Sequence, residues 1–346
     1  MTPAVPSARA GSGAGARTTD AAAAELAITF VPVPDRPAGP GYLLPGLLIA
    51  GVTHAGATGL SRALACHPEI KLPVVKRVDH YSPLRFEQPV QATLADYDRR
   101  FATWTGQRYR LERSPVYFDG GQKLVDAVAA DLPGLRVLML LRDPVERLWA
   151  SFRDKVERGR LPQAMSYESY VDRCLALRAN DADRFEGNRY FRALSAGMYA
   201  DHLPAWLEAF GERTRVVFAE DFERSPQHHL DALIEWLGLD PSLTRAAPRM
   251  AGYGTDGPEP GWLQTFGTDG ASRRHWPALA RPGEALRRPA EMGFDLVRRV
   301  TRSRVPRQSD RVRLRLERLY APANQRLAGM LRDLGYADLP HWLDVL

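Results

Sequence analysis

Three residues near the start of the chain, Gly51, Gly56 and Thr58, have the G-x-x-x-x-G-x-T spacing of a phosphate-binding loop. They follow the apolar run 47–50 and precede a helical pattern, so strand, tight loop and helix start are predicted. Glycines let backbone N–H groups turn inward, and the helix N-terminus adds partial positive charge, which together hold phosphate oxygens. Ala57 replaces the Lys of the Walker pattern. Because such turns also serve packing alone, the loop by itself leaves both interpretations open.

A second polar group follows the extended stretch 70–75 and contains Lys76, Arg77, Asp79 and His80. If that stretch runs beside the first strand in a parallel sheet, its carboxyl end reaches the same edge and the same ligand crevice. The alternative is a charged surface turn, which the residues alone favour.

A third candidate is Arg142, which follows the continuous apolar run 136–141. That run is typical of a strand buried on both faces of a parallel sheet. Asp143 is predicted to cap the next helix and Pro144 suits its first turn, which leaves Arg142 at the strand end, where a guanidinium can bind phosphate. The alternative is an ion pair between Arg142 and Glu146 or another carboxylate.

The elements that position these residues alternate between strand and helix, which predicts an α/β fold with a parallel sheet flanked by helices. Helical patterns are expected near 60–66, 94–104, 122–130, 197–210, 226–237, 310–320 and 324–334, with a further strand at 215–219. Residues 1–41 are rich in Ala, Gly and Pro and are predicted to form a disordered leader before an α/β domain over 42–346. Loops with short helices are expected over 246–306.

Composition narrows the class of protein. The chain has 346 residues, 45% of them hydrophobic, and a net charge of +6, which favours anionic ligands in general. It has no apolar run of membrane-spanning length and no secretory signal, and Cys66 and Cys174 form neither a disulfide framework nor a zinc motif. We therefore expect a cytoplasmic protein without a bound metal or a membrane partner.

An Arg-rich stretch at 273–318 raises the question of nucleic-acid binding. It also contains Glu284, Glu291, Asp295 and Asp310, and it matches no helix-turn-helix or zinc-finger spacing. We expect no nucleic-acid partner.

The ordered set of motifs resembles the sulfotransferases that use 3′-phosphoadenosine 5′-phosphosulfate (PAPS), in particular their bacterial and glycan-modifying branch. The similar segments are 51–60 (family G-x-x-K-x-G-T-T-x-L), 76–82 (K-E-P-x-Y-F-S), 112–117 (E-x-S-P-x-Y), 142–151 (R-D-P-V-E-R and Ser), 197–222, 320–327 and 339–342. The resemblance implies the sulfotransferase fold, PAPS as the sulfuryl donor and the first loop as its 5′-phosphosulfate site.

The resemblance also implies roles for individual residues. The donor would contact His54, Ala55, Gly56, Ala57, Thr58 and Gly59, with Arg142 and Ser151 at its 3′-phosphate. The candidate catalytic residues are His54, Lys76, Arg77, Asp79 and His80.

Four family residues are replaced in this chain: the loop Lys by His54, the first loop Thr by Ala57, the basic Glu by Arg77 and the phosphate-binding Ser by Ala150. Ser151 follows Ala150, about 100° further round the helix. A protonated His54 would replace the missing charge, since phosphates raise the pKa of a neighbouring imidazole. His80 or Asp79 would then serve as the base.

The sequence therefore predicts sulfuryl transfer from PAPS to a hydroxyl or amine of a small molecule or sugar. The alternative is a sulfotransferase-fold protein that has lost this transfer and acts as a different enzyme or as a non-catalytic binding protein. An ordinary P-loop kinase or nucleotide hydrolase is disfavoured because the Walker Lys is missing. The sequence names neither the acceptor nor the oligomeric state.

Overall fold

A computed structural model describes residues 42–75, 77–244 and 309–344 of the chain. The leader predicted over 1–41, the loops predicted over 246–306 and Lys76 lie outside the described residues.

The strands and helices alternate along the described chain. The strands are β1 (Leu47–Gly51), β2 (Ile70–Lys71), β3 (Tyr109–Arg113), β4 (Arg136–Leu141) and β5 (Thr214–Phe218). The helices are α1 (Ala57–Leu64), α2 (Leu94–Arg99), α3 (Gln122–Asp131), α4 (Pro144–Glu157), α5 (Tyr167–Ala179), α6 (Leu203–Phe210), α7 (Ala219–Arg224), α8 (Pro226–Trp236) and α9 (Asp310–Asp333).

The described strands form one parallel sheet in the order β2-β3-β1-β4-β5. β1 lies at its centre and all five of its residues are buried, as expected for a strand covered by helices on both faces. Because the strands are parallel, their carboxyl ends share one edge, and the loops that follow β1, β3 and β4 meet there. The predicted α/β fold with a flanked parallel sheet is confirmed.

The placement of β2 corrects one expectation. β2 does not run beside β1, because β3 lies between them and pairs with both. β3 is not predicted from the sequence because its residues, Y-R-L-E-R, include three charged side chains. One of them, Glu112, is nevertheless fully buried, and hydroxyl groups donate hydrogen bonds to its carboxylate.

Several predicted helix boundaries also differ from the structure, and the helix expected over 94–104, for example, ends at Arg99. The helix expected over 197–210 begins at Leu203, after two short 3-10 turns. Pro204 explains the later start, because proline suits a first helical turn and disrupts an interior one. The last helix, by contrast, continues through Pro322, since residues on both sides of it, including Tyr320 and Leu327, are buried in the core.

Helix α4 connects the sheet edge to a second hydrophobic cluster. Asp143 caps this helix by accepting a hydrogen bond from the Val145 N–H at 2.8 Å, as the sequence predicts. Phe152 on α4 then packs with Tyr170 of α5 and Leu316 of α9 in that cluster. This packing fixes the helix that starts directly after Arg142.

Candidate active site

The loop between β1 and α1 lies at the carboxyl edge of the sheet. The Val52 N–H donates to the Leu140 carbonyl of β4 at 2.9 Å, which ties the loop to the neighbouring strand. A Cβ on Gly51 would lie 2.7 Å from the Cβ of Phe118, so this position has no room for a side chain. Gly56 has a φ of +102° and precedes the first residue of α1, a backbone conformation that favours glycine.

The helix end beside this loop is suited to an anion. α1 begins at Ala57 and has no acidic residue in its first turn. The N-terminus of a helix carries partial positive charge, and its first N–H groups point toward a ligand in front of it. Thr58 is half-buried, while Ala55, Ala57 and Gly59 are buried. Side chains this small leave the backbone as the main binding surface.

Arg113 brings a positive charge to the same loop. It is the last residue of β3, and its Nη1 donates a hydrogen bond to the Thr58 hydroxyl. Arg113 is not a candidate from the sequence alone, because strand β3 is not predicted from it. The available signal was the position of Arg113 between Glu112 and the Ser-Pro turn, which would have placed it at a strand end once β3 was recognised.

Arg142 reaches the loop from the other side of β1. It follows β4, it is half-buried, and its Nη1 donates to the backbone carbonyl of His54 at 3.2 Å. The alternative partner considered for it, Glu146, accepts a hydrogen bond from Arg313 at 2.6 Å instead. The guanidinium of Arg142 is thus held at the loop rather than at the first turn of α4.

Acidic residues from α7 surround Arg142. Glu223 lines a small crevice together with Ala55 and Gly56. Burial raises the pKa of Glu223 to about 7, and the charge of Arg142 opposes this shift. Glu220 accepts a hydrogen bond from the Asp143 N–H at 2.8 Å, and burial raises its pKa as well. The crevice therefore carries less negative charge below pH 7 than above it.

His54 is the residue in the position of the family's loop lysine. It has a φ of +64° and is half-buried. Burial lowers its pKa to about 3, the positive charge of Lys155 adds to the shift, and Asp154 opposes it. The imidazole is therefore neutral at pH 7, and the charge expected on His54 would require an anion beside it.

Ser151 lies inside the contact between helices. Its side chain is almost completely buried, and its hydroxyl accepts a hydrogen bond from Lys155 Nζ at 2.9 Å. Lys155 also donates to the Tyr170 hydroxyl of α5 at 2.9 Å, and burial lowers the pKa of the lysine to about 7. Ala150, in the family's serine position, is half-buried. The role of Ser151 at a 3′-phosphate stays a prediction, since in this arrangement its hydroxyl already has a partner.

The second polar segment lies next to the end of β3. Arg77 is exposed and forms an ion pair with Asp79 at 2.8 Å. The Asp79 N–H donates to the Ser114 hydroxyl at 3.0 Å, one residue beyond Arg113. The structure thus brings Asp79 to the same sheet edge as the loop, by way of β3 rather than by direct pairing of β2 with β1.

His80 is held by aromatic packing. Its ring stacks on Tyr97 with a centroid distance of 4.4 Å, and burial lowers its pKa. The Tyr97 hydroxyl donates to Glu112, which also accepts from Ser114 at 2.6 Å. Burial raises the pKa of Glu112 to about 7, while its hydroxyl donors oppose the shift. The lowered pKa of His80 keeps its imidazole neutral near pH 7, the form that has a free ring nitrogen for a proton.

A cavity of about 340 Å³ adjoins this segment. Its lining includes Asp79 and His80, Tyr97 of α2, and four residues of the segment before α2, which are Gln88, Pro89, Gln91 and Ala92. Its volume falls within the usual range for small-molecule sites.

Two further observations concern metals and membranes. No group of three or more His, Cys, Asp or Glu side chains among the described residues is arranged to hold a metal ion. Within 42–75, 77–244 and 309–344, no helix is both long and apolar enough to span a bilayer.

The fold and this edge define an α/β protein whose first strand–loop–helix turn is contacted by two arginines from the neighbouring strand ends. No family model matches the chain. Over 205 residues it is 28% identical to the bifunctional heparan sulfate N-deacetylase/N-sulfotransferase 1 of Caenorhabditis briggsae, covering 57% of this chain and 23% of that protein. Over 244 residues it is 26% identical to the mouse heparan sulfate glucosamine 3-O-sulfotransferase 3A1, covering 70% of this chain and 56% of that protein.

A solved structure shows which fold the chain shares with a known protein. The sulfotransferase from Alicyclobacillus acidocaldarius superposes with a TM-score of 0.58 at 21% sequence identity, covering 86% of this chain and 98% of that one. The sulfotransferase fold is therefore confirmed, and so is the resemblance to sulfotransferases that the motifs predict. The chain spans 23% and 56% of the lengths of the two relatives named above.

Proposed function

We propose that this chain transfers a sulfuryl group from PAPS to a hydroxyl or amine of a small molecule or sugar. The observation that carries the proposal is the convergence of Arg113 and Arg142 on the β1–α1 loop, from the ends of the strands on either side of β1. Charge stabilisation of the leaving 5′-phosphate is required for this reaction, and Arg113 would supply it although the loop lysine is missing, while Arg142 adds positive charge on the other side of the loop.

In this proposal the backbone of 54–59 and the start of α1 bind the 5′-phosphosulfate. Arg113, which contacts Thr58 of that loop, neutralises the charge that develops on the 5′-phosphate. Arg142 binds the 3′-phosphate through paired N–H groups. His54 contributes to binding without a full charge until the phosphates are in place.

The reaction conserves atoms and charge in a simple way. The acceptor oxygen or nitrogen forms a bond to sulfur while the bond between sulfur and the phosphate oxygen breaks. The phosphate oxygen keeps that electron pair, which gives 3′-phosphoadenosine 5′-phosphate (PAP), and the acceptor loses one proton. His80 or Asp79 receives the proton, because both line the cavity and Asp79 is hydrogen-bonded to Ser114 at the end of β3. The roles of Lys76 and Arg77 in this step stay predictions.

In the alternative proposal, the chain keeps the sulfotransferase fold but does not transfer a sulfuryl group. It is favoured by the neutral His54 and by the buried Ser151, which together weaken two expected contacts to the donor. A protein of this kind would bind a ligand at the edge without releasing PAP from PAPS. The cytoplasmic location expected from the sequence stays a prediction under both proposals.

PAP release from PAPS by the purified chain, with a panel of small hydroxyl and amine acceptors, tests the proposal. We expect turnover in the native protein and a loss of about 100-fold in kcat in Arg113→Gln. Arg110→Gln is the matched control, because Arg110 lies on the same strand but donates to the Leu44 carbonyl. Equal activity in Arg113→Gln and Arg110→Gln would overturn the role of Arg113. PAP binding without any turnover would favour the alternative.

A further inference from the structure

The cavity beside Asp79 and His80 adjoins the proposed transfer site. Asp79 belongs to both, because its side chain lines the cavity and its N–H contacts Ser114. Ser114 follows Arg113, whose guanidinium contacts the donor loop. The cavity wall and the donor loop are therefore both tied to the carboxyl end of β3, the first through Ser114 and the second through Arg113.

The charges around the cavity are informative about its ligand. Among the described residues that line it, Asp79 and Asp96 carry negative charge and Arg100 carries positive charge. The nearby Arg77 is already paired with Asp79. A polyanionic sugar chain is normally bound by an excess of Lys and Arg. The lining has no such excess within the part of the chain that the structure describes.

The remaining lining groups suit a small polar ligand. Tyr97 and Pro83 provide apolar surface, and Gln91 adds an exposed amide. Asp96 already accepts hydrogen bonds from Thr93 and pairs with Arg99. Asp79 pairs with Arg77 through Oδ2, while its Oδ1 is buried without a partner among the described residues and would accept a hydrogen bond from an ammonium group. His80, which is held against Tyr97 by stacking, offers an imidazole that can accept a proton.

We propose that this cavity binds the acceptor and that the acceptor is a small molecule with a primary amine, rather than a polyanionic sugar chain. The inference rests on the proposed transfer from PAPS. Asp79 Oδ1 accepts a hydrogen bond from the amine, which enters the cavity as a cation and loses one proton to solvent before it attacks. As the nitrogen–sulfur bond forms and the sulfur–oxygen bond of PAPS breaks, His80 takes the second proton. The products are a sulfamate, PAP and released protons.

A cavity-filling variant and an acceptor panel test this inference. Ala92 is an exposed loop residue that lines the cavity, so Ala92→Trp occupies it without entering the core. Ala164→Trp is the matched control, because Ala164 is an exposed alanine in a different loop. The panel contains primary amines of about monosaccharide size, the same molecules with hydroxyl in place of amine, and an N-deacetylated heparan oligosaccharide.

We expect kcat/KM to be at least tenfold higher for the best small amine than for its hydroxyl counterpart or for the oligosaccharide. Ala92→Trp should lower kcat/KM for that amine at least tenfold and leave the Kd for PAP unchanged, whereas Ala164→Trp should change neither value. Preference for the oligosaccharide or a hydroxyl compound, or full activity in Ala92→Trp, would overturn the inference. If native protein binds PAP but modifies no acceptor in the panel, the acceptor assignment is also wrong. Absence of PAP binding would instead refute the proposed function itself.

Discussion

Replacing Arg142 by Gln separates binding of the 3′-phosphate from binding of the rest of the nucleotide. The guanidinium is half-buried at the end of β4 and is oriented by the His54 carbonyl at 3.2 Å. Gln removes the positive charge and keeps a polar side chain. We expect PAP to bind more weakly to this variant, while adenosine 5′-monophosphate, which lacks the 3′-phosphate, binds nearly as well as before.

The size of the effect follows from the contact that is lost. A hydrogen bond between a charged donor and an anion contributes about 1.5–3 kcal/mol at a partly buried site. That range corresponds to roughly 10- to 150-fold in Kd. The Arg142 contact to His54 is to a neutral carbonyl, and losing it affects both nucleotides equally. Only the difference between PAP and adenosine monophosphate measures the phosphate contact.

Isothermal titration calorimetry of both nucleotides against the native protein and the variant provides this difference. Arg136→Gln is the matched control, since Arg136 begins the same strand and donates to the Trp236 carbonyl at the opposite edge. Equal losses of affinity for PAP and for adenosine monophosphate would refute a role for Arg142 at the 3′-phosphate. Such a result would make Arg142 a residue that only supports the loop.

Three further variants test the surroundings of the loop. Gly51→Ala places a Cβ 2.7 Å from the Cβ of Phe118 and should lower the free energy of unfolding by about 1–3 kcal/mol. Gly134→Ala is the control, because the space around Gly134 is open and the free energy of unfolding should change little. Equal urea midpoints for the two variants would contradict the predicted steric clash. Burial raises the pKa of Glu112 from 4.5 to about 7, so the folded protein keeps a proton that the unfolded chain releases in this range. The contribution of Glu112 to the free energy of unfolding should therefore fall by up to about 3 kcal/mol as pH rises from 4.5 to 7. It is measured in urea titrations as the difference between the native protein and Glu112→Gln, and a difference that does not change with pH would contradict the raised pKa. Glu223 lies beside the loop and its pKa is about 7, so its carboxylate is more ionised at pH 8 than at pH 6 and should weaken PAP binding at the higher pH. Calorimetry should show a smaller difference in affinity between pH 6 and pH 8 for Glu223→Gln than for the native protein. The same pH dependence in both would place Glu223 away from the phosphates.

The central strands and their loops could be predicted because their local signals are strong. The run R-V-L-M-L-L reads as a buried strand, and Asp143 with Pro144 marks the start of the next helix. The β1–α1 loop is similarly marked by its glycines. These features depend on neighbours in sequence, so they are visible in one chain without its fold.

Other parts of the site depend on contacts between distant residues and could not be predicted in the same way. Arg113 became a candidate only when β3 was placed beside β1, because its partner Thr58 is 55 positions away in sequence. The burial of Ser151 follows from the packing of α4 on α5, a helix that the sequence analysis did not identify. His54 is neutral because burial lowers its pKa and nearby positive side chains such as Lys155 lower it further. Such effects are properties of the folded environment rather than of residue type.

The most direct test of the central claim is release of PAP from PAPS by the purified chain in the presence of a small primary amine, with the sulfated product measured by mass spectrometry. We expect one sulfamate for each PAP released, and no sulfated product when the amine is omitted. If the protein binds PAP and yet releases none from PAPS with any acceptor, then the edge formed by β1, β3 and β4 is a binding site, and the claim that it performs sulfuryl transfer is contradicted.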